Sequence, residues 1–298
     1  MMTISVFPSS GDFAAARNEC SMAVAMGPKP IAYRPDLLPA GGEFKLELKH
    51  NGITFNWVDG RAYSNEAVPM RCCDHLVPAF EALEKISGEP MYFQGEYMVD
   101  QNNWRATMSA FNTGTPSGIV ALWEAVPMTV YHGRQVSQPL HVRRQHLETI
   151  LDVVQPHGIL GQRWETVESE EQIELGAGVA WDEGAEGVVI KDPTSPFVRG
   201  PSRYWLKIKQ HETLDVTIVD VRLDTDEAQP RVKSLLCREG DGAPFRVATG
   251  FGNEERYVLG FIHASGMLVG TVCEVKSQGR TAEGIPENPS YLRLREDK

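Results

Sequence analysis

Apolar and polar residues alternate from Phe44 to Lys49. Phe44, Leu46 and Leu48 fall on one side of an extended segment, and Lys45, Glu47 and Lys49 fall on the other. Asn51-Gly52 follows as a turn signal, and the alternation resumes at Ile53, Phe55 and Trp57. The pattern therefore predicts a β-hairpin over residues 44–58, with a second tight turn at Asp59-Gly60. Over residues 74–87, Leu76, Phe80, Leu83 and Ile86 recur at helical spacing, and Gly88 supplies the stop. Residues 91–99 and 118–131 read as strands, and residues 140–155 as a helix ended by Pro156. Short buried strands are expected at 185–192 and 203–209. From residue 214 the texture changes to short apolar runs divided by Gly, Asp and Pro, which suggests a small β-barrel. The polar break Gln210-His211-Glu212 divides the chain into residues 1–210 and 211–298. The expected class is α+β, antiparallel sheets with flanking helices followed by the barrel.

Composition narrows this only in part. With 42% hydrophobic residues in 298, the chain can bury a core, which excludes a wholly disordered protein. No apolar run approaches the ~20 residues needed to span a bilayer, so no membrane partner is expected. The first twenty residues lack a basic segment followed by an apolar one, so no signal peptide is expected either. The five cysteines are odd in number and include no CxxC pair. That pattern points to reduced thiols in a cytoplasmic protein and to no zinc module. Net charge is −11, with 29 Lys+Arg against 40 Asp+Glu. Neither part of the chain is basic, so charge alone does not point to nucleic acid. Any DNA contact would need a local basic face and would weaken steeply with salt.

Candidate chemistry lies in a series of short motifs. In order they are Glu47-Leu48-Lys49-His50-Asn51-Gly52, Phe93-Gln94-Gly95-Glu96, Leu122-Trp123-Glu124, Glu186 to Lys191 (EGVVIK), Trp205 to Lys209 (WLKIK), and the terminal Arg295-Glu296-Asp297-Lys298. Each alone is unspecific. Together and in this order they resemble the covalent nucleotidyltransferases, most closely the small ATP-dependent DNA ligases of bacteriophage or bacterial accessory type. The resemblance covers nearly the whole chain. It implies an adenylyltransferase domain over 1–210 and an OB-fold domain over 211–298. It also implies sealing of 5′-phosphate/3′-hydroxyl nicks in duplex DNA through a lysyl-AMP intermediate and adenylylated DNA, in repair, replication or recombination.

The roles implied are specific. Lys49 is the nucleophile that takes AMP from ATP, and Lys207 and Lys209 act with it as catalytic cations. Covalent transfer of this kind splits one hard step into easier ones. Lysine attacks only when neutral, which neighbouring cations favour. Glu47, Arg61, Glu96, Trp123, Lys207, Lys209, Arg295 and Lys298 would surround the nucleotide, with Trp123 either stacking on adenine or forming the pocket wall. Glu96 and Glu186 would offer oxygen ligands to Mg2+ or Mn2+. Lys191, closing its motif, is expected to be solvated. Two positions depart from the family pattern: Asn51 replaces the usual aspartate, and Thr54 stands where an arginine is common. Arg61 is the candidate to compensate, on the ribose or the nick phosphate, and Arg71 is a second. Nicked duplex DNA would be bound by a monomer, in the host cytoplasm if the chain is phage-encoded. RNA ligases and capping guanylyltransferases share much of this pattern, but Glu186-Gly187 and the β-rich tail favour a DNA ligase. A non-catalytic nucleic-acid-binding relative is the reading from another class.

Overall fold

A computed structural model describes residues 27–38, 42–100, 103–225, 228–281 and 283–295. Contacts divide the chain into two units, Met1–Ile208 and Lys209–Lys298. The first unit begins with β1 (Pro28–Ala32), β2 (Phe44–Lys49), β3 (Ile53–Val58) and β4 (Arg61–Ser64). A 3-10 turn at Arg71–Leu76 leads into α1 (Val77–Ser87), followed by β5 (Met91–Met98), α2 (Trp104–Thr113), β6 (Ile119–Pro127) and α3 (Met128–Tyr131). Then come α4 (Leu140–Val154), β7 (Ile159–Gly161), β8 (Trp164–Val167), α5 (Glu170–Asp182), β9 (Gly187–Lys191) and β10 (Gly200–Lys209).

These strands form two five-stranded sheets, in the orders β1-β10-β9-β2-β8 and β4-β3-β5-β6-β7. Pairing is mostly antiparallel; β1 with β10 and β6 with β7 are the parallel pairs. The expected β2–β3 hairpin does not form, because the two strands belong to different sheets. Asn51-Gly52 is instead the crossover between them. A turn dipeptide between two alternating runs specifies a change of direction, not which strand becomes the partner. The Asp59-Gly60 turn does form, with both residues at positive φ (49° and 74°), joining β3 to β4.

The second sheet packs α1 and α4 on one face. Phe55 and Trp57 stack on Phe80, at 5.0 and 4.6 Å between ring centres. Leu76, Phe80 and Leu83 are buried, but Ile86 is exposed, one turn beyond the sheet contact. Residues 118–131 are not one strand: β6 stops at Pro127 and α3 follows. In the first sheet Phe44, Leu46, Val188, Ile190 and Leu206 pack against Ile173, Ala177 and Ala180 of α5. A Cβ at Gly176 would stand 2.3 Å from the Leu46 side chain, so glycine lets this helix approach the sheet.

The second unit holds β11 (Glu212–Leu223), β12 (Val232–Arg238), β13 (Phe245–Val247), α6 (Asn253–Ala264), β14 (Val272–Ser277) and β15 (Ser290–Leu294). Its sheet order is β13-β12-β11-β14-β15. A parallel bridge from Thr249 to Ser290 ties the segment after β13 to β15 and closes the sheet on itself. Val216, Ile218, Leu235, Val247, Val275 and Tyr291 fill the interior together with Cys237 and Cys273, both free thiols. Helix α6, an addition to the all-strand expectation, buries Leu259 there. In the first unit Cys72 and Cys73 are also free and buried, while Cys20 lies outside the described residues.

Candidate active site

The face of the first sheet turned away from α5 gathers the chemistry. Phe44 and Leu46 point toward α5, so alternation sends Lys45, Glu47 and Lys49 to the opposite face. On β9 the same parity puts Val188 and Ile190 in the core and sends Val189 and Lys191 across. On β10 it turns Trp205, Lys207 and Lys209 the same way, away from Leu206. Lys49 pairs in register with Gly187, and the Glu186 backbone N–H donates to the Lys49 carbonyl at 3.1 Å. This brings the Lys49 ammonium into an ion pair with the Glu186 carboxylate. Both side chains remain partly accessible.

Two residues earlier, Glu47 is only 3% exposed. Its Oε2 meets Lys191 Nζ at 2.5 Å and its Oε1 lies 3.3 Å from Arg144 Nη1 of α4. Lys191 is therefore not solvated as expected; it is 1% exposed. A carboxylate and two indole rings replace its water. Its Nζ stands 3.9 Å from the centre of Trp205 and 5.5 Å from that of Trp123. Burial lowers its pKa from 10.5 to about 8, against the opposing pull of Glu47. Trp123 is half-buried, with its Nε1–H donating to Gln94 Oε1 at 3.2 Å.

At the crossover, the Gly52 N–H donates to Glu96 Oε1 at 3.0 Å. A side chain cannot fit there: a Cβ would come within 2.4 Å of the Tyr97 carbonyl and 2.7 Å of Glu96 Cγ. His50 Nε2 lies 2.7 Å from Gln162 Oε1, and burial lowers the imidazole pKa. The adjacent arginines of α4 divide their work. Arg143 grips Glu124 bidentately at 2.8 and 2.7 Å, while Arg144 reaches Glu47 and the Gln162 carbonyl.

Lys49, Glu47, Glu186, Trp123, Lys207 and Lys209 thus share one face or border it, and Glu96 meets it at the crossover. Arg61 does not join them. It pairs with Val58 at the far end of β3, roughly 20 Å along the strand from Gly52. Arg71 lies on the 3-10 turn before α1, beside Gly114. Arg295 is held within the second unit by Asp215 at 2.8 Å, and Asp297 and Lys298 lie outside the described residues. Arg144, Gln162 and Gln94 were not among the expected site residues. Arg143-Arg144 on a helix reads as a solvated pair until the facing carboxylates are known.

Known proteins show the same organisation. The family model described as ATP dependent DNA ligase domain matches residues 128–209, and that described as DNA ligase OB-like domain matches 227–295. The chain belongs to the ATP-dependent DNA ligases. A DNA ligase of Methanosphaerula palustris is 27% identical over 248 residues, or 74% of this chain and 42% of that protein. The chain therefore spans less than half the length of this relative. A solved structure named Pmar-Lig_PreS3 has a TM-score of 0.75 at 18% identity, covering 91% of this chain and 68% of that one. A structure from work on Lig E DNA ligases has a TM-score of 0.70, also at 18% identity, covering 91% and 100%. These neighbours share the fold of a nucleotidyltransferase unit followed by an OB unit.

Family membership implies a divalent ion. Among the described residues no group of three or more His, Cys, Asp or Glu is arranged to hold one. Glu186 and Glu96 nevertheless offer the oxygen donors a hard cation takes, and nucleotide phosphates would have to complete its shell.

Proposed function

We propose that this chain seals nicks in duplex DNA with ATP through a lysyl-AMP intermediate. Residues 1–210 form the adenylyltransferase unit and 211–298 the OB unit. The observation that carries this reading is the placement of Lys49. It stands at the end of an interior strand, against Glu186, on the sheet face that also carries Glu47, Lys191, Trp205, Lys207 and Lys209 and that Trp123 of β6 borders.

The chemistry follows from that placement. The Lys49 amine, once deprotonated, attacks the α-phosphorus of ATP; an N–P bond forms and pyrophosphate leaves. The 5′-phosphate at a nick then takes the AMP from Lys49. Finally the 3′-hydroxyl attacks that phosphate, and AMP departs. Lys207 and Lys209 face the charge that gathers on the phosphates, where preorganised cations lower the barrier most. Glu186 and Glu96 would hold Mg2+ or Mn2+, which neutralises phosphate charge. Trp123 supplies a flat wall for the base, and Glu47 and Lys191 supply polar groups at its depth. Arg295 and Lys298 are assigned to the nucleotide during adenylylation. Arg61, at the far end of β3 from the crossover, is assigned to the nick strand rather than the ribose. Both matched models are DNA-ligase models, so RNA ligation and guanylylation lose support.

The test is incubation with α-labelled ATP or GTP, followed by a denaturing gel. Label from ATP alone, lost in Lys49→Ala, is expected. Label from GTP, or label surviving in Lys49→Ala, overturns the reading.

A further inference from the structure

Three positions flanking Lys49, namely Glu47, Leu48 and His50, are each held by at least one residue from outside the sequence motifs. Glu47 is gripped by Arg144 and Lys191. The Leu48 carbonyl accepts a long bond, 3.4 Å, from Gln162 Nε2. His50 contacts Gln162 Oε1 at 2.7 Å. Gln162 is itself buried, at 6% exposure. Its backbone carbonyl is held by Arg144 Nη2, and its backbone N–H donates to the Leu122 carbonyl of β6 at 2.7 Å.

The company of this amide fixes its orientation. Two carbonyls, of Leu48 and Arg163, face Nε2, which must therefore donate. Oε1 is left for His50, so the imidazole Nε2 carries its proton toward Gln162. Arg144 is fully buried, with its guanidinium 4.7 Å from the centre of Trp164, the residue paired in register with Glu47. Helix α4 and the turn between β7 and β8 thus clamp β2 where it ends. The need for a clamp is local. Lys49 is the last residue of its strand, and the chain leaves for the other sheet within three residues. Strand pairing alone stops restraining the backbone at the nucleophile.

We infer that Gln162, backed by Arg144, is a positioning residue for adenylylation: it holds the Leu48 carbonyl on one side of Lys49 and the His50 imidazole on the other, and so sets where the amine stands. The inference rests on Lys49 being the nucleophile. A side chain that aims the nucleophile contributes through geometry and not through binding. Its loss should lower the rate of lysyl-AMP formation without weakening ATP binding. It should also spare the last step, in which Lys49 attacks nothing.

The experiment compares wild type, Lys49→Ala, Gln162→Leu and Gln162→Glu. One assay is single-turnover labelling across an ATP titration; the other is sealing of a nick that already carries 5′-linked AMP. Gln162→Leu should lower the saturating labelling rate at least tenfold. The ATP concentration for half-maximal rate and the sealing rate should each stay within about threefold. Gln162→Glu keeps the acceptor for His50 and should recover part of the rate. Wild-type labelling by Gln162→Leu, with Lys49→Ala inactive, overturns the inference alone. Equal loss in both assays overturns it too, in favour of a structural role. Labelling of Lys49→Ala overturns the nucleophile and this inference together. If Gln162→Leu does not fold, His50→Leu removes the same contact from a half-buried position and is read identically.

Discussion

Burial of the Lys191 ammonium beside Glu47 couples the stability of the first unit to pH. Its folded pKa is about 8, against 10.5 when unfolded. Between those values the unfolded chain binds a proton that the folded one lacks, so stability rises as pH increases through the window. Unfolding free energies of wild type and Lys191→Met, measured from pH 7 to 10.5, should show a difference that moves in favour of wild type by a few kcal/mol. A difference independent of pH would refute the burial effect. At Lys49 the expectation is sharper. Lys49→Ala should lose self-adenylylation yet still close a nick that already carries AMP. Glu186→Ala should seal about 10²-fold more slowly, as loss of preorganised charge stabilisation does; wild-type rates across a magnesium titration would remove it from the site. That these two residues meet was legible in outline, because their motifs single both out and the structure pairs their side chains. Lys191 was not: its carboxylate partner lies 144 residues earlier, and a lysine at the end of a strand looks solvated until that partner is placed.

Strands β5 and β6 are legible as apolar-rich segments despite Gln94, Glu96 and Glu124, and helices α1 and α4 as apolar residues at helical spacing. Helix α5 was not legible. Gly176 and Gly178 interrupt its pattern, and glycine at Gly176 serves a close approach to Leu46 that only the packed structure reveals. The β2–β3 misreading has a similar origin. Asn51-Gly52 looks like a hairpin turn, but Gly52 is needed because the crossover runs against the Tyr97 carbonyl. Gly52→Ala should therefore destabilise the first unit by about 1–3 kcal/mol, the range for forced overpacking, which thermal or urea unfolding would measure. It should also slow adenylylation, because the Gly52 N–H that holds Glu96 moves with the backbone. Unaltered stability would show that the crossover can relax.

Across the whole molecule, charge is unevenly spread. Residues 168–183, on and around α5, hold six Asp or Glu and no Lys or Arg, so this surface should repel phosphate and is expected to face away from bound DNA. Nick affinity should fall steeply between 50 and 200 mM salt, as phosphate-driven binding does; a flat response would argue against DNA as substrate. Removal of residues 295–298 should impair adenylylation while largely sparing closure of pre-adenylylated nicks, and equal loss in both would point instead to a damaged barrel. A change of texture marks the sequence near residue 210, and contacts divide the chain after Ile208. The clamp around Lys49 was not legible, since its members meet only after the sheets assemble. That assembly has an order of its own. The second sheet is drawn from one uninterrupted stretch, residues 53–161, whereas the first takes strands from both sides of it, 28–49 and 164–209. Short-range pairings close with less entropy loss than long ones. On a ribosome, β2 must wait for more than a hundred further residues before β8 and β9 exist to receive it. The strand bearing Lys49 is thus among the last of the first unit to be pinned, and a half-made chain carries that lysine with no site around it.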